Sequence, residues 1–269
     1  MTTLYLFAHQ DDEIGVFHAL AEATRRGEAV VCAYLTNGAW AGVTSERRNS
    51  ESLKTLALLG VAASNVSLLG TNLAIPDGRL VENLERAFDG LVQLMEQRRA
   101  DGQGIQRIIM HAFEGGHHDH DAVYLLGTAL AARYGLINQS RQFPLYRRPK
   151  DRWSMSFAAP LEANGAVEKL AVPLARRLAY LRLLANYRSQ ARVILKLLPH
   201  IVHDYVMVGA QKLQPISIAR AADEPNAPPM LYEIWKLYSY ADFRRNAQPF
   251  IDRHLVRPGT PDAASGRIA

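Results

Sequence analysis

The chain has 269 residues, 48% of them hydrophobic, and a formal net charge of +5. That length and apolar share suit one large domain with a full core, or one domain with an appendage. No stretch reaches the ~18 uninterrupted apolar residues of a membrane span; the nearest, Val193 to Ala210, is broken by Lys196, Pro199, His200, His203 and Asp204.

The first half alternates between strand and helix signals. Leu4–Ala8 reads as a strand, and Asp12–Arg26 as a helix with Ile14, Phe17, Leu20 and Ala21 at helical spacing, closed by Gly27. Ala29–Thr36 is a short, continuously apolar run, as in a parallel sheet covered on both faces. Asn37-Gly38 opens a loop, and Glu46–Leu59 reads as a helix stopped by Gly60. A third strand is expected at Val66–Leu69, a helix at Leu80–Arg99 and a fourth strand at Ile105–His111. A Gly115-Gly116 loop then leads into a helix from about Asp119 to Tyr134.

Regularity fades in the second half. Met155–Ala158 is a candidate strand, and Ala166–Leu198 reads as helical with an interruption at Pro173. Pro215–Met230 holds four prolines and reads as a loop or insertion. Leu231–Phe243 fits helix or strand, and Pro258–Ala269 reads as a flexible tail. Strand–helix alternation predicts an α/β fold: a Rossmann-like, doubly wound, mostly parallel sheet flanked by helices. The expected organisation is a single domain over residues 1–257, with its core in 1–135 and a C-terminal extension in 136–257.

Charge is unevenly spread. Residues 130–200 hold 13 Lys and Arg against three acids, about +10, which leaves about −5 elsewhere. An acidic substrate or an anionic surface would use such a segment; a solvated helix face plus a subunit interface is the plainer reading. Nucleic acid is disfavoured, because the segment lacks interleaved aromatics or a binding motif. The start of the chain shows no basic n-region followed by an apolar h-region, so a cytoplasmic protein is expected. The single cysteine, Cys32, lies in an apolar run and reads as a small buried hydrophobe.

Two clusters carry the chemistry. His9-Gln10-Asp11-Asp12-Glu13 follows the first strand, and His117-His118-Asp119-His120-Asp121 follows the fourth. His9 and Asp12 are three apart and converge as the chain turns into its helix; Asp11 points elsewhere in the cleft. His117 and His120 share one face of a helix start, and His118 points away from both. Taken singly, the first cluster reads better as a capping turn, and a solvated histidine tract is the lesser reading of the second. Both fall at C-terminal strand ends, where side chains project into one crevice, which suggests a single divalent metal with a spare carboxylate beside it. His111 ends the fourth strand and reads as a satisfied core histidine or a pocket residue. A second site at His200 and His203 is disfavoured, with no acid at matching spacing.

The paired clusters resemble the motifs of the PIG-L or LmbE-like zinc N-deacetylases, usually His-Pro-Asp-Asp-Glu and His-Pro-Asp-His. Arg48 and Glu51 before Leu59-Gly60 are similar to that family's Arg-x-x-Glu helix; Pro76-Asp77-Gly78 and Ser189-Gln190 match further features. The resemblance is strongest over residues 1–135. It implies hydrolysis of an N-acetyl group on an amino sugar or N-acetylglucosaminyl conjugate, by attack of a zinc-activated water. His9, Asp12 and His120 would bind zinc, other divalent ions being open, and leave a position for water. Asp11 would be the general base, and a protonated His117 would stabilise the oxyanion. Asp119 would orient His117 or a ligand, and Arg48 and Asp77 would contact the sugar. The family also implies a homo-oligomer and a small-molecule substrate. Gln10 and His118 stand where the family has proline, which releases the φ constraint at both places. Three rival readings are a metal-dependent phosphohydrolase of the helical HD type, a receiver domain, and an inactive sugar-binding relative.

Overall fold

The computed structural model describes residues 1–149 and 155–256. Its first half follows the predicted order: β1 (Thr2–Phe7), α1 (Phe17–Arg25), β2 (Ala29–Tyr34), α2 (Ser45–Leu58), β3 (Val66–Ser67), α3 (Leu69–Asn72), α4 (Leu84–Ala100), β4 (Arg107–His111) and α5 (His118–Arg133). The second half contains β5 (Arg141–Phe143), β6 (Tyr146–Arg147), β7 (Ser156–Phe157), β8 (Glu168–Ala171), α6 (Leu174–Leu183), α7 (Ala191–Val202), β9 (Ala210–Pro215), α8 (Leu231–Ile234) and α9 (Tyr240–His254).

Seven strands form one sheet in the order β3-β2-β1-β4-β5-β9-β8. The first five run parallel, and β9 and β8 close one edge antiparallel. This is the expected Rossmann-like α/β fold. Strand order reverses between β1 and β4, so the crevice at their C-terminal ends is the natural place for a site. Alternate residues of β1 serve two cores. Leu4, Leu6 and Ala8 pack with α4, α5 and α9; Tyr5 and Phe7 pack with α1, α2 and the tyrosines of the second half. That double burial is why the strands read as unbroken apolar runs. The C-terminal extension supplies side chains to both cores, including Phe243 and Phe250 on one face and Tyr180, Tyr187 and Tyr205 on the other.

Several boundaries differ from expectation. The third strand is only two residues long, and Leu69 begins a short helix. The α1 segment starts as a 3-10 turn over Asp12–Val16, because the chain must redirect sharply after β1. Residues 166–198 are not one interrupted helix: 168–171 is the edge strand β8, and Pro173 caps α6. The strand β9 was not foreseen, and residues 231–243 divide between α8 and the start of α9. The expected tail, residues 258–269, lies outside the described residues. Among the described residues no helix is long and apolar enough to cross a membrane.

The floor of the crevice is tightly closed. Thr36 N–H and Oγ1 both bond Ala8 O, at 3.1 and 2.7 Å, and Asn37 N–H bonds Ile75 O at 2.7 Å. Gly70 of α3 sits against this junction, where a Cβ would lie 2.3 Å from the backbone of Thr36. Gly70→Ala should therefore destabilise the protein by about 3 kcal/mol, the upper range of overpacking. Urea denaturation measures it; an unchanged midpoint would contradict this packing.

Candidate metal centre

Helix α5 is buried through most of its length, and its first turn is His118-Asp119-His120-Asp121. Four polar side chains in a buried turn need partners, or each costs its desolvation. Their partners come from the turn after β1, from the loop at 76–80 and, for Asp121, from the loop just before the helix.

That turn is strained. Asp11 has φ 129° and ψ −13°, a region that non-glycine residues avoid. Four hydrogen bonds hold it. Asp11 N–H bonds Glu13 Oε2 at 3.0 Å, and Ile14 N–H bonds Asp11 O at 3.1 Å. Arg48 Nη2 donates to Gln10 O at 2.7 Å and to Asp11 Oδ1 at 3.0 Å. Glu13 is itself anchored from the far half of the chain by Tyr187 OH at 2.8 Å. The strain sends adjacent carboxylates in different directions.

Asp12 faces inward. Its Oδ2 accepts from His9 N–H at 2.6 Å and lies 3.0 Å from His111 Nε2; its Oδ1 lies 3.1 Å from His120 Nε2. Burial acts to raise its pKa, but His120 and His111 outweigh burial and hold it well below the usual carboxylate range. Asp11 instead stays partly exposed beside Arg48. Burial pushes it up to about 7, against the pull of Arg48.

His9 is fixed on its other side. Nε2 lies 3.0 Å from Asp119 Oδ2 and 3.3 Å from Asp77 Oδ1, while Nδ1 lies 3.6 Å from Asp12 Oδ2. Asp119 also accepts Gly78 N–H at 2.7 Å and Leu80 N–H at 3.0 Å, so it ties α5 to the 76–80 loop. It supports the ring of His9 rather than that of His117. His117 caps α5: its Nδ1 accepts Asp119 N–H at 3.1 Å, which leaves the proton of a neutral ring on Nε2. Burial and the His118 and His9 imidazoles push the His117 pKa well down, which favours a neutral ring.

The expected ligands His9, Asp12 and His120 are neighbours, but no single metal-capable group among the described residues holds all three. Two sets of donor atoms close enough to share an ion overlap there, His9, His117 and His120 in one and Asp12, His111 and His120 in the other. His120 is buried with no partner on Nδ1, and its Nε2, 3.1 Å from Asp12 Oδ1, makes an ion-pair contact but no aligned hydrogen bond. Nitrogen and oxygen donors with an orphaned buried imidazole nitrogen fit a divalent ion such as zinc.

Arg48 is 4% exposed, with Nη1 on Asp77 and Gly38 O and Nη2 on Asp11 and Gln10 O. His111 is both core residue and site residue, stacked on His120 at 3.9 Å and bonded to Asp12. The sequence signal was its place at the end of β4; its apolar flank hid it. The tie from Tyr187 to Glu13 had no local signal. The two residues replacing proline are both built in. Gln10 donates to Asn49 Oδ1 at 2.7 Å, and its amide fills the space over Gly38. His118 bonds Gly78 O at 3.0 Å and stacks on Tyr238, and it also forms a metal-capable group with His117 and Asp119. His200 and His203 are exposed and belong to none of the metal-capable groups among the described residues.

A mostly parallel sheet with a buried His/Asp centre at its switch point defines a Rossmann-like α/β protein with a metal-capable site. Residues 4–131 match the family model described as PIG-L, GlcNAc-PI de-N-acetylase. This stretch holds both clusters, the ones whose motifs resemble that family's. No curated protein sequence matches the chain. Solved structures share the fold. The A40926 pseudoaglycone deacetylase superposes with a TM-score of 0.59 at 17% identity, over 82% of this chain and 98% of that one. The zinc-inhibited form of teicoplanin deacetylase gives 0.57 at 13%, over 80% and 97%. The N,N'-diacetylchitobiose deacetylase of Pyrococcus horikoshii gives 0.54 at 15%, over 80% and 82%. The parallel sheet removes the all-helical HD reading, and the end of β3 offers no carboxylate for a receiver domain.

The loop joining β4 to α5 rests on two more buried acids. Asp121 Oδ1 accepts Glu114 N–H and Gly115 N–H, both at 3.1 Å; Glu114 Oε1 accepts Leu145 N–H at 2.7 Å and Tyr146 N–H at 3.1 Å. Burial pushes Glu114 up to about 8. Between its ordinary 4.5 and that value the folded state holds the proton more tightly than the unfolded chain. Its contribution is therefore complete below pH 4.5 and is lost as pH rises towards 8. Glu114→Gln keeps the acceptor oxygen and removes the titration. Denaturation at pH 5 and pH 8 should show a smaller alkaline loss of stability in the variant than in the parent, and equal losses would refute the assignment.

Proposed function

We propose that the chain is a metal-dependent N-deacetylase that removes an acetyl group from an amino sugar or an N-acetylglucosaminyl conjugate. The observation that carries this reading is the split between adjacent carboxylates. Asp12 turns inward onto His9 N–H, His111 and His120, whereas Asp11 turns the other way, partly exposed beside Arg48, where burial raises its pKa to about 7. Amide hydrolysis needs a donor set of the first kind and a general base of the second.

His9, Asp12 and His120 would hold the ion, with Asp119 on His9 Nε2 leaving Nδ1 to serve as the ligand. A divalent ion held by these residues would supply Lewis acidity toward the attacking water and the acetyl carbonyl. Asp11 accepts the proton of the attacking water and returns it to the leaving amine. The Nε2–H of His117 donates to the oxygen that gains negative charge. Arg48 acts by holding Asp11 and Asp77 in place, and Asp77, beside His9, is the residue of that pair left to meet a sugar hydroxyl. The PIG-L match and the deacetylase folds support the class of reaction. The sharing of both cores by the C-terminal extension supports one domain rather than two.

The test is acetate release from a panel of N-acetylglucosaminyl conjugates, abolished by chelator and restored by divalent ions. Asp11→Asn should lower turnover by roughly 10²–10⁴ with metal content unchanged. His120→Ala should lose the metal itself. Failure to release acetate from any conjugate, or full turnover in Asp11→Asn, would sink the reading.

A further inference from the structure

The basic segment of the second half has no part in the chemistry above. From Lys169 to His203 there is no Asp or Glu, and 174–203 carries six cations: Arg176, Arg177, Arg182, Arg188, Arg192 and Lys196. Arg177 is structural. It donates to Val172 O and Val206 O and so bolts α6 to the turn that follows α7. Among the described residues no carboxylate lies within ion-pair distance of the other five, which stand as unneutralised charge.

The same stretch is unusually apolar on its outside. Of the fourteen exposed large hydrophobic side chains among the described residues, seven lie between 174 and 208, including Leu174 (62% exposed), Leu195 (70%) and Met207 (73%). Beside α6 runs a groove of about 420 Å³. Leu58, Leu59, Ala179, Leu183 and Arg176 line it, together with Arg25, which is paired to Glu22. Aliphatic side chains set among unpaired cations match the chemistry of an anionic bilayer: acyl chains accept the first, headgroup charges the second. A second copy of the chain matches poorly, since the face would meet its own positive charge with no acid to complement it. A nucleic acid would satisfy the cations and leave the aliphatic side chains in water, with no aromatic platform for its bases.

We propose that the face formed by α6, α7 and the 203–208 turn docks the protein peripherally on an anionic lipid surface. This stands apart from the deacetylase reading, and neither falls with the other. The experiment is co-sedimentation of the full chain with vesicles of phosphatidylcholine containing about 30% phosphatidylserine, against vesicles of phosphatidylcholine alone. Binding is expected only to the anionic vesicles and should weaken as salt rises. Leu195→Ser with Met207→Ser, and separately Arg192→Glu with Lys196→Glu, should each weaken binding about tenfold or more. All four positions are exposed, and circular dichroism checks that the variants fold. Charge reversal at Arg245, on α9, should leave binding unchanged. The proposal is overturned if the anionic vesicles bind no protein, or if the Leu195/Met207 variant binds them as well as the parent. Equal binding to duplex DNA, or a dimer that the same substitutions dissociate, would overturn it as well.

Discussion

The carboxylate of Asp12 is the contact on which the arrangement turns. It joins the turn after β1 to the end of β4 through His111, and to α5 through His120, while also receiving the backbone N–H of His9. A buried anion with three histidine-borne partners is stable only while they surround it, and each partner belongs to a different part of the chain. The ends of the two central strands are therefore held at a fixed separation by electrostatics as well as by sheet hydrogen bonds. A crevice that the fold leaves open becomes a rigid cage of donors.

Around that cage the second half of the chain acts as a brace. Tyr187 reaches Glu13, which receives the amide of the strained Asp11. Two residues on, Ser189 binds both carboxylate oxygens of Glu51 on α2, the helix that delivers Arg48. The strain at Asp11 is thus supported from below by Arg48 and from behind by a segment more than a hundred residues away. This gives a physical role to the Ser189-Gln190 pair, which the sequence could mark only as a resemblance.

Legibility in the sequence followed burial. The strands β1, β2 and β4 lie between two helical layers, so they appear as apolar runs with glycine or polar stops, and the order of the first half was readable from them. The strand β8 sits at the sheet edge with three of its four residues exposed, and its Glu-Lys-Leu-Ala sequence carries no strand signal. The strand β9 buries Gln211 and Gln214, which read as loop. In the site, His9, Asp12 and His120 were legible because both clusters fall at strand ends. The environments of His111 and Arg48 were not, because pairing with Asp12 and burial beneath Asp11 are tertiary facts with no local spacing behind them.

The fit between Gln10 and Gly38 has a further consequence. A β-carbon at residue 38 would come 1.9 Å from Gln10 Oε1, and the amide of Gln10 is held by Asn49. Three positions, on the first loop, the second loop and a helix, have become mutually contingent. A proline at residue 10 would leave Asn49 Oδ1 without this donor and a hollow above Gly38. A change at residue 10 is therefore felt at residues 38 and 49 together.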